Sequence, residues 1–453
     1  MTPAEPTTRL GDLLRTARRE SGLTLEELSG RAGVGIRTLG DLERNRISRP
    51  HRRTVDALLG SLPIDDERRA AIWAAARPAP VPVPASASVP ADPPAARTVG
   101  REAETANLRR WFDHWHRGQR SPGPVIISGL PGVGKSTFSE AFCHTHVDEF
   151  PDGQLVLDLG GSGPSPLEPL GALGALLGHI GVPREQLPDS VDERGLLFRS
   201  RMQSLAMLVG LADAADEAQV RPLLPDNTPS LILITSRRTL AGLHAGKRIM
   251  LREPTPADAV AILAELAGPE RVAAEPGPAA ELARLCGYLP LALRVAATRL
   301  TTRPGATIAD LVDRLTMPDE RFARLTVGDL RVRDVFEAQY RRLAHDEQRT
   351  FRRLSVLRGT NLTAAAVATA LRIDAEMAEG NLEGLVDAGL LTTAADGGTY
   401  QVNGLIRQFG REVLAAEESA ASVQRLLNGA GLVTAQVSGG AGTRQADRPQ
   451  WAA

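Results

Sequence analysis

The chain has 453 residues, too many for one ordinary domain of roughly 100–200 residues. Its composition, 42% hydrophobic and 24% charged, is that of a globular chain with enough apolar material for real cores. The net charge of −1 excludes a uniformly basic nucleic-acid coat, and two cysteines, Cys143 and Cys286, exclude a disulfide framework or a four-thiolate zinc site. No apolar run approaches the roughly 20 residues of a membrane span, and the opening MTPAEPTTRL has no apolar signal core. A cytoplasmic protein without membrane contact is expected.

The first 76 residues predict a helical head. LTLEELSGRAGVGIRTLGDLERNRISRP reads as helix, tight turn, helix. Thr24 and Glu27 form a capping box, with Leu23 and Leu28 as its hydrophobic staple. Leu25, Leu28 and Ala32 make the buried stripe of the first helix, and Val34, Leu39 and Leu42 that of the second. Ile36, Arg37 and Asp41 then face outward, with Arg44 at the end, which is how a helix-turn-helix presents its second helix to the major groove. Residues 37–53 hold six arginines (Arg37, Arg44, Arg46, Arg49, Arg52, Arg53) against Asp41 and Glu43. Arginine suits phosphate contacts and bidentate pairing with a guanine edge. The competing reading is a helical interaction domain with a solvated arginine face.

Residues 77–97, seven of them proline, read as an extended linker. After a helix over 101–117, PVIISGLPGVGKST gives a short β-branched run, a Gly-rich turn and a helical pattern. Gly129 to Ser136 satisfies G-x-x-x-x-G-K-[ST] in the strand–loop–helix context that the motif needs. Gly129, Gly132 and Gly134 let the backbone curl so that successive N–H groups point at phosphate oxygens. Lys135 reaches the terminal phosphates, the Ser136 hydroxyl ligates Mg²⁺, and Thr137 follows in the first helical turn. Of 53 basic residues only Lys135 and Lys247 are lysines, so one of the two falls on the position that the motif demands.

Further strands are expected at 154–160, 207–213 and 231–236, separated by helical patterns, which implies a parallel α/β sheet. From about Pro256 the pattern is almost wholly helical, with a strand pair at 390–393 and 399–402. Residues beyond about 418 turn small and polar and read as disordered. No repeat of 30–45 residues is visible.

The head resembles the Cro/C1-type (XRE) helix-turn-helix family over residues 9–76, which implies base readers at Ile36, Arg37 and Asp41. Leu25 stands where that family commonly has Gln, and Gly35 and Gly40 stand where a capping hydroxyl and a helix former are usual. Each interior Gly costs about 1 kcal/mol of helix stability, so a soft recognition helix is expected. In the body, TVGRE at 98–102, the P-loop, TSRR at 235–238 and GYLPLAL at 287–293 follow one another in order. As a set, over about residues 97–415, they resemble the NB-ARC class of STAND nucleotide switches, and especially actinobacterial regulators that carry a DNA-binding head. The resemblance implies that Val99 and Gly100 flank the adenine, that Arg237 senses the terminal phosphate, that Pro290 lies against base and sugar, and that a winged helix closes over ATP or ADP with Mg²⁺. A second DNA reader is the other reading of that winged helix.

The expected architecture is multidomain: an all-α helix-turn-helix head (1–76), a linker (77–97), an α/β P-loop NTPase core with a parallel sheet (98–250), a helical domain (251–328), a winged-helix domain (329–418) and a disordered tail (419–453). Two departures bear on chemistry. Ungapped alignment puts Ala212 at the usual metal-site Asp of the third core strand. Strand alternation carries Asp213 to the other face, so Asp213 replaces the missing acid only if the strand has already ended. Asn403-Gly404 stands for the usual His-Asp sensor, leaving Asn403 to donate to a phosphate. The expected function is a nucleotide-controlled regulator that binds double-stranded DNA, with weak or absent hydrolysis and with homo-oligomers on DNA. An active ATPase switch and a nucleotide-stabilised interaction scaffold are the alternatives.

Overall fold

The computed structural model describes residues 10–45, 52–76, 99–118, 123–303, 305–317, 320–357, 359, 361–394, 397–419 and 421–426. The linker expected at 77–97, Arg46, Arg49 and the tail from 427 onward lie outside the described residues, as do the side chains of Arg52 and Arg53.

The head is built from α1 (Leu10–Glu20), α2 (Leu25–Ala32), α3 (Ile36–Glu43), α4 (Arg52–Gly60) and α5 (Asp66–Ala76). Its apolar positions close a core of their own around Leu14, Leu28, Leu39, Leu42, Leu58 and Ile72. Leu25, Ala32 and Val34, expected in the buried stripes, pack at the margin of this core. One charged pair is inside it. Glu43 is 3% exposed and accepts from Arg18 Nε at 2.6 Å and Nη2 at 2.9 Å, which ties the end of α3 to α1. Gly11 N donates to Asn45 Oδ1 at 2.8 Å and closes the same corner.

The body begins with α6 (Glu102–Gly118), β1 (Val125–Gly129) and α7 (Lys135–His146). There follow β2 (Gln154–Asp158), α8 (Pro169–His179), α9 (Val191–Met202), β3 (Leu208–Ala214), α10 (Glu217–Val220), β4 (Leu231–Ser236) and β5 (Lys247–Leu251). The five strands form one parallel sheet in the order β2-β3-β4-β1-β5. Period-two alternation builds its two faces. Val125, Ile127, Leu231, Leu233, Ile249 and Leu251 enter one core, with Phe112 of α6 and Phe138 and Phe142 of α7. Ile126, Val209, Leu211, Ile232 and Ile234 enter the other, with Leu173 and Leu176 of α8 and Phe198 of α9. The edge strand β5 escapes sequence reading because KRIML buries only Ile249 and Leu251, too few alternating positions to signal a strand.

Helices α11 (Pro256–Ala267), α12 (Pro269–Ala274), α13 (Pro276–Leu285), α14 (Pro290–Thr301), α15 (Ile308–Thr316) and α16 (Arg321–Arg324) come next. The hairpin β6 (Thr326–Val327) and β7 (Leu330–Arg331) leads into α17 (Val332–Tyr340) and α18 (His345–Leu354). The chain continues through β8 (Asn361–Leu362), α19 (Ala364–Leu371), α20 (Ala375–Asp387), β9 (Thr392–Thr393), β10 (Tyr400–Gln401) and α21 (Gly404–Glu417). β9 and β10 are the expected strand pair, and β8 joins them in a three-stranded antiparallel sheet. This whole region shares the first sheet-face core, through Phe322, Phe336, Phe351 and Phe409. The expected disorder does not begin at 419: residues 421–426 are helical, and Leu426 packs against that core.

Removing Glu43 takes two charge-assisted bonds from the part-buried Arg18 guanidinium, which keeps only Leu23 O. Glu43→Ala is therefore expected to destabilise the head by about 1.5–3 kcal/mol, read as a lower urea midpoint for a fragment of residues 1–76. An unchanged midpoint would show that the Arg18–Glu43 pair does not hold α3 in place.

Candidate nucleotide and DNA sites

In the head, the capping box forms as read. Glu27 N donates to Thr24 Oγ1 at 3.2 Å and Thr24 N donates to Glu27 Oε2 at 2.7 Å. Gly33 takes the left-handed conformation (φ 63°) that ends α2. Gly35 is the N-cap of α3, the place of the usual capping hydroxyl, and glycine is tolerated there. Gly40 is the interior glycine that carries the helix cost. Ile36 is 45% exposed, and Arg37 is exposed beside it at the start of α3. Asp41 and Arg44 pair with each other at 2.9 Å. The Arg44 guanidinium folds back over Gly40, 3.1 Å from where a Cβ would stand. The exposed first turn of α3 thus presents one apolar and one cationic side chain, the mixture that meets a thymine methyl and a guanine edge.

In the body, the phosphate loop lies beyond the carboxyl end of β1, where parallel sheets place their ligands. Gly129 has φ 148°, and a Cβ there would collide with the Leu251 carbonyl of β5. Lys135 is half-buried along its stem, and its ammonium turns inward, donating to Gly129 O at 2.9 Å and Leu130 O at 3.0 Å. Burial, reinforced by the neighbouring Arg237 guanidinium and opposed by Asp213, pulls the ammonium down to about 7. Ser136 and Thr137 are exposed at the helix start. The loop is braced from outside. Leu291 N donates to Gly132 O at 3.1 Å, and Pro290 stands at the first turn of α14 beside Gly134. Val99 and Gly100 are both half-buried, and Gly100 packs so closely on α11 that a Cβ would stand 2.6 Å from the Asp258 Cβ.

Arg101 is a residue that pattern alone does not single out. It is 6% exposed and donates to Val133 O at 2.9 Å and Arg252 O at 2.8 Å. It fixes the Val99-Gly100 segment to the phosphate loop. Its only sequence signal is its place in TVGRE.

The alternation argument for Asp213 fails in the structure. The pairing of β3 with β4 slips between Leu211 and Ala214, and Asp213 has φ 52°. Such a bulge re-aims a side chain. Asp213 thereby comes within 3.8 Å of Arg237 Nε, in the electrostatic field of Lys135. Its carboxylate accepts from Ser162 N at 2.6 Å and Ser162 Oγ at 2.5 Å, and its own N–H donates to Thr235 Oγ1 at 3.0 Å. Ala212 offers no polar side chain, and its carbonyl accepts from Leu159 N at 2.8 Å.

Arg237 is half-buried at the end of β4. Burial, with Arg342 nearby, lowers its guanidinium from its ordinary value, against the opposing pull of Asp213. It donates to Val335 O of α17 at 2.8 Å. Next to it, Asp387 at the end of α20 accepts from Thr239 Oγ1 at 2.6 Å and Arg238 Nε at 2.9 Å. Burial opposes its ionisation, but the hydrogen bonds from Thr239 and Arg238 prevail and hold it below the usual carboxylate range. Gly389 (φ 70°) lies so close to this seat that a Cβ would stand 2.7 Å from Arg237 O.

Asn403, expected to donate to a phosphate, has its amide engaged elsewhere. Its Nδ2 donates to Gly287 O at 2.8 Å and Glu253 Oε1 at 3.1 Å, while its Oδ1 caps α21 by accepting from Leu405 N at 2.9 Å. Among the described residues no group of three or more His, Cys, Asp or Glu side chains could hold a metal ion, so Mg²⁺ here would depend on a hydroxyl and on the phosphates themselves. No helix among them is long and apolar enough to cross a membrane.

A helix-turn-helix domain model matches residues 9–72. Over 323 residues the chain is 36% identical to the regulatory protein AfsR of Streptomyces coelicolor, covering 69% of this chain and 32% of that protein. It is 36% identical to AfsR of Streptomyces griseus over the same length, covering 71% and 33%. The chain thus spans about a third of the length of these relatives. A solved STAND protein with a tetratricopeptide repeat sensor, from Pyrococcus horikoshii, is 17% identical with a TM-score of 0.31, covering 75% of this chain and 46% of that one. The chain thus joins a helix-turn-helix head to a P-loop on a parallel sheet and is a homologue, over 323 residues, of these Streptomyces regulatory proteins.

Proposed function

We propose that the chain is a DNA-binding transcriptional regulator whose output is set by ATP or ADP, held with Mg²⁺ at the P-loop, and that hydrolysis is slow or absent. The observation that carries this reading is the direct seat of the α17–α20 region on Arg237, through Val335 O and Gly389. A group placed to meet the terminal phosphate is the same group that holds the closing region. A change of phosphate there alters that seat. The proposed limits are a head at 1–76, a linker at 77–97, a nucleotide module at 98–250, a helical module at 251–328 and a winged-helix region at 329–418. Ser136 is the proposed Mg²⁺ ligand, and Val99, Gly100, Gly129, Gly132, Gly134, Lys135, Thr137, Arg237 and Pro290 line the nucleotide. Ile36, Arg37, Asp41 and Arg44 face double-stranded DNA. The name of the AfsR relatives, regulatory proteins, supports the same reading. Two copies on paired half-sites are proposed, because one helix-turn-helix makes few base contacts.

The residues present fit such a nucleotide. Among the described residues Lys135 donates only to carbonyl oxygens, so no side-chain carboxylate takes the place of an anion on it, and the exposed Ser136 hydroxyl stands next to it in sequence. Slow turnover is argued from Asp213, a carboxylate beside Arg237, which is held by two bonds from Ser162 rather than left to order water or metal. Turnover also requires an attacking water in line with the leaving oxygen.

DNA binding by duplex selection, then compared with ADP and with a non-hydrolysable ATP analogue, tests the reading. Equal affinity in both states would remove nucleotide control. Arg37→Ala should cost about 1–3 kcal/mol on the selected site, measured by fluorescence anisotropy, with steep weakening of the parent's binding as salt rises. Lys135→Ala should abolish nucleotide binding and lower the melting temperature in its presence. Ala212→Asp should leave binding nearly unchanged and raise turnover. Turnover by the parent at a rapid rate, abolished by Asp213→Ala, would make Asp213 the metal-site acid instead.

Lys135 also gives the binding a pH sign. Its folded value of about 7 lies below its ordinary value, so without nucleotide the amine is largely neutral above pH 7 and phosphate must recharge it. Affinity should therefore fall as pH rises from 7 to 9, with proton uptake on binding at pH 8, measured by calorimetry in buffers of different ionisation enthalpy. Without nucleotide the sign reverses: the unfolded chain binds the extra proton between pH 7 and the ordinary lysine value, so this group's contribution to stability rises with pH across that window.

A further inference from the structure

Between the end of the sheet and the α17–α20 region lies a polar cavity of about 150 Å³. Asp213, Asp216, Arg237 and Arg238 line it from the sheet side, and Gln339, Arg342 and Glu347 line it from the other. Most of these groups already have partners. Asp213 is held by Ser162, Asp216 caps α10 through Gln219 N, Glu347 caps α18 through Ala344 N, and Arg238 is paired with Asp387. Arg237 donates to Val335 O and lies 3.8 Å from Asp213 Oδ1, which leaves Arg342 and Gln339. Arg342 has no ion pair or side-chain hydrogen bond among the described residues. Gln339 is only 6% exposed, and its amide likewise makes no side-chain hydrogen bond among them. The cavity that Gln339 lines also receives the guanidiniums of Arg237 and Arg342, while Arg238 is committed to Asp387.

We propose that this cavity is a phosphate site in which Arg342, contributed by the turn between α17 and α18, and the Gln339 amide join Arg237. The proposal rests on the nucleotide reading above and extends it by adding a reader from the closing region. Guanidinium forks match tetrahedral oxyanions, and a dianion between Arg237 and Arg342 replaces their repulsion with two charge-assisted contacts. That repulsion shows in Arg237, whose guanidinium Arg342 helps to lower. The phosphate has two possible sources: the terminal group of a bound nucleoside triphosphate, or free inorganic phosphate. Either would draw the α17–α18 turn onto the sheet, because Arg342 and Gln339 belong to one side of the cavity and Arg237 to the other.

Calorimetric titration of the full chain with Mg·ADP, a non-hydrolysable ATP analogue and inorganic phosphate tests this in the parent and in Arg342→Ala and Arg342→Lys. Loss of the fork should weaken binding of the analogue or of inorganic phosphate about tenfold or more, leave ADP binding within about twofold, and be only partly restored by lysine. Dependence on Arg342 with the analogue alone assigns the site to the terminal phosphate. Dependence with inorganic phosphate, alone or beside ADP, assigns it to the free ion. Arg342→Ala that leaves every probe unchanged, or that weakens ADP and the analogue equally, overturns the site. Phosphate bound through Arg342 by a chain that binds no ADP keeps the site and sinks the P-loop nucleotide reading, whereas nucleotide binding indifferent to Arg342 does the reverse.

Discussion

Two cations, Lys135 and Arg237, are brought into one poorly hydrated corner at the carboxyl ends of the parallel strands, with Asp213 as the carboxylate set beside them. Burying like charges together is costly unless anions accompany them, and the surrounding backbone supplies only partial charge. Lys135 is steadied by carbonyl oxygens of its own loop, and Arg237 by a carbonyl of α17. The rest of the body is arranged around that excess of positive charge. Sheet order brings the ends of β1, β3 and β4 together, the bulge in β3 turns its acid inward, and α17 lies directly on the result.

The seat of the α17–α20 region on this corner is polar. The bonds that Asp387 accepts from Arg238 and Thr239, and the bond that Arg237 donates to Val335 O, cross from the sheet to the helices that follow. Polar seats depend on geometry more steeply than apolar ones, because a bond lost in a partly buried site leaves both partners unsatisfied. Asn403 pins the opposite side of the same region by clasping Gly287 O while capping α21. It acts there as a structural clamp.

The head is stabilised differently. Its α3 is positioned by Glu43, a buried acid facing Arg18, so the exposed turn carrying Ile36 and Arg37 is presented on a fixed frame. Asp41 and Arg44 neutralise each other in the free head.

Much of this is legible in the sequence. The capping box at Thr24 and Glu27 is decided by residues three apart, and the P-loop by eight consecutive residues, so both are local and both are read directly. The core strands β1, β2, β3 and β4 announce themselves by β-branched and leucine-rich runs. What the sequence leaves open depends on groups distant in the chain. Asp213 reaches the corner of Lys135 and Arg237 only because pairing with β4 slips, a bulge that leaves no mark on LVGLAD itself. Asn403 loses its amide to Gly287, 116 residues away, and Glu43 is buried because α1 brings Arg18 to it. Spacing along the chain determines which chemistry is available. Which of those groups are free to use it is decided by tertiary packing, because only packing determines what each charge meets when water is removed.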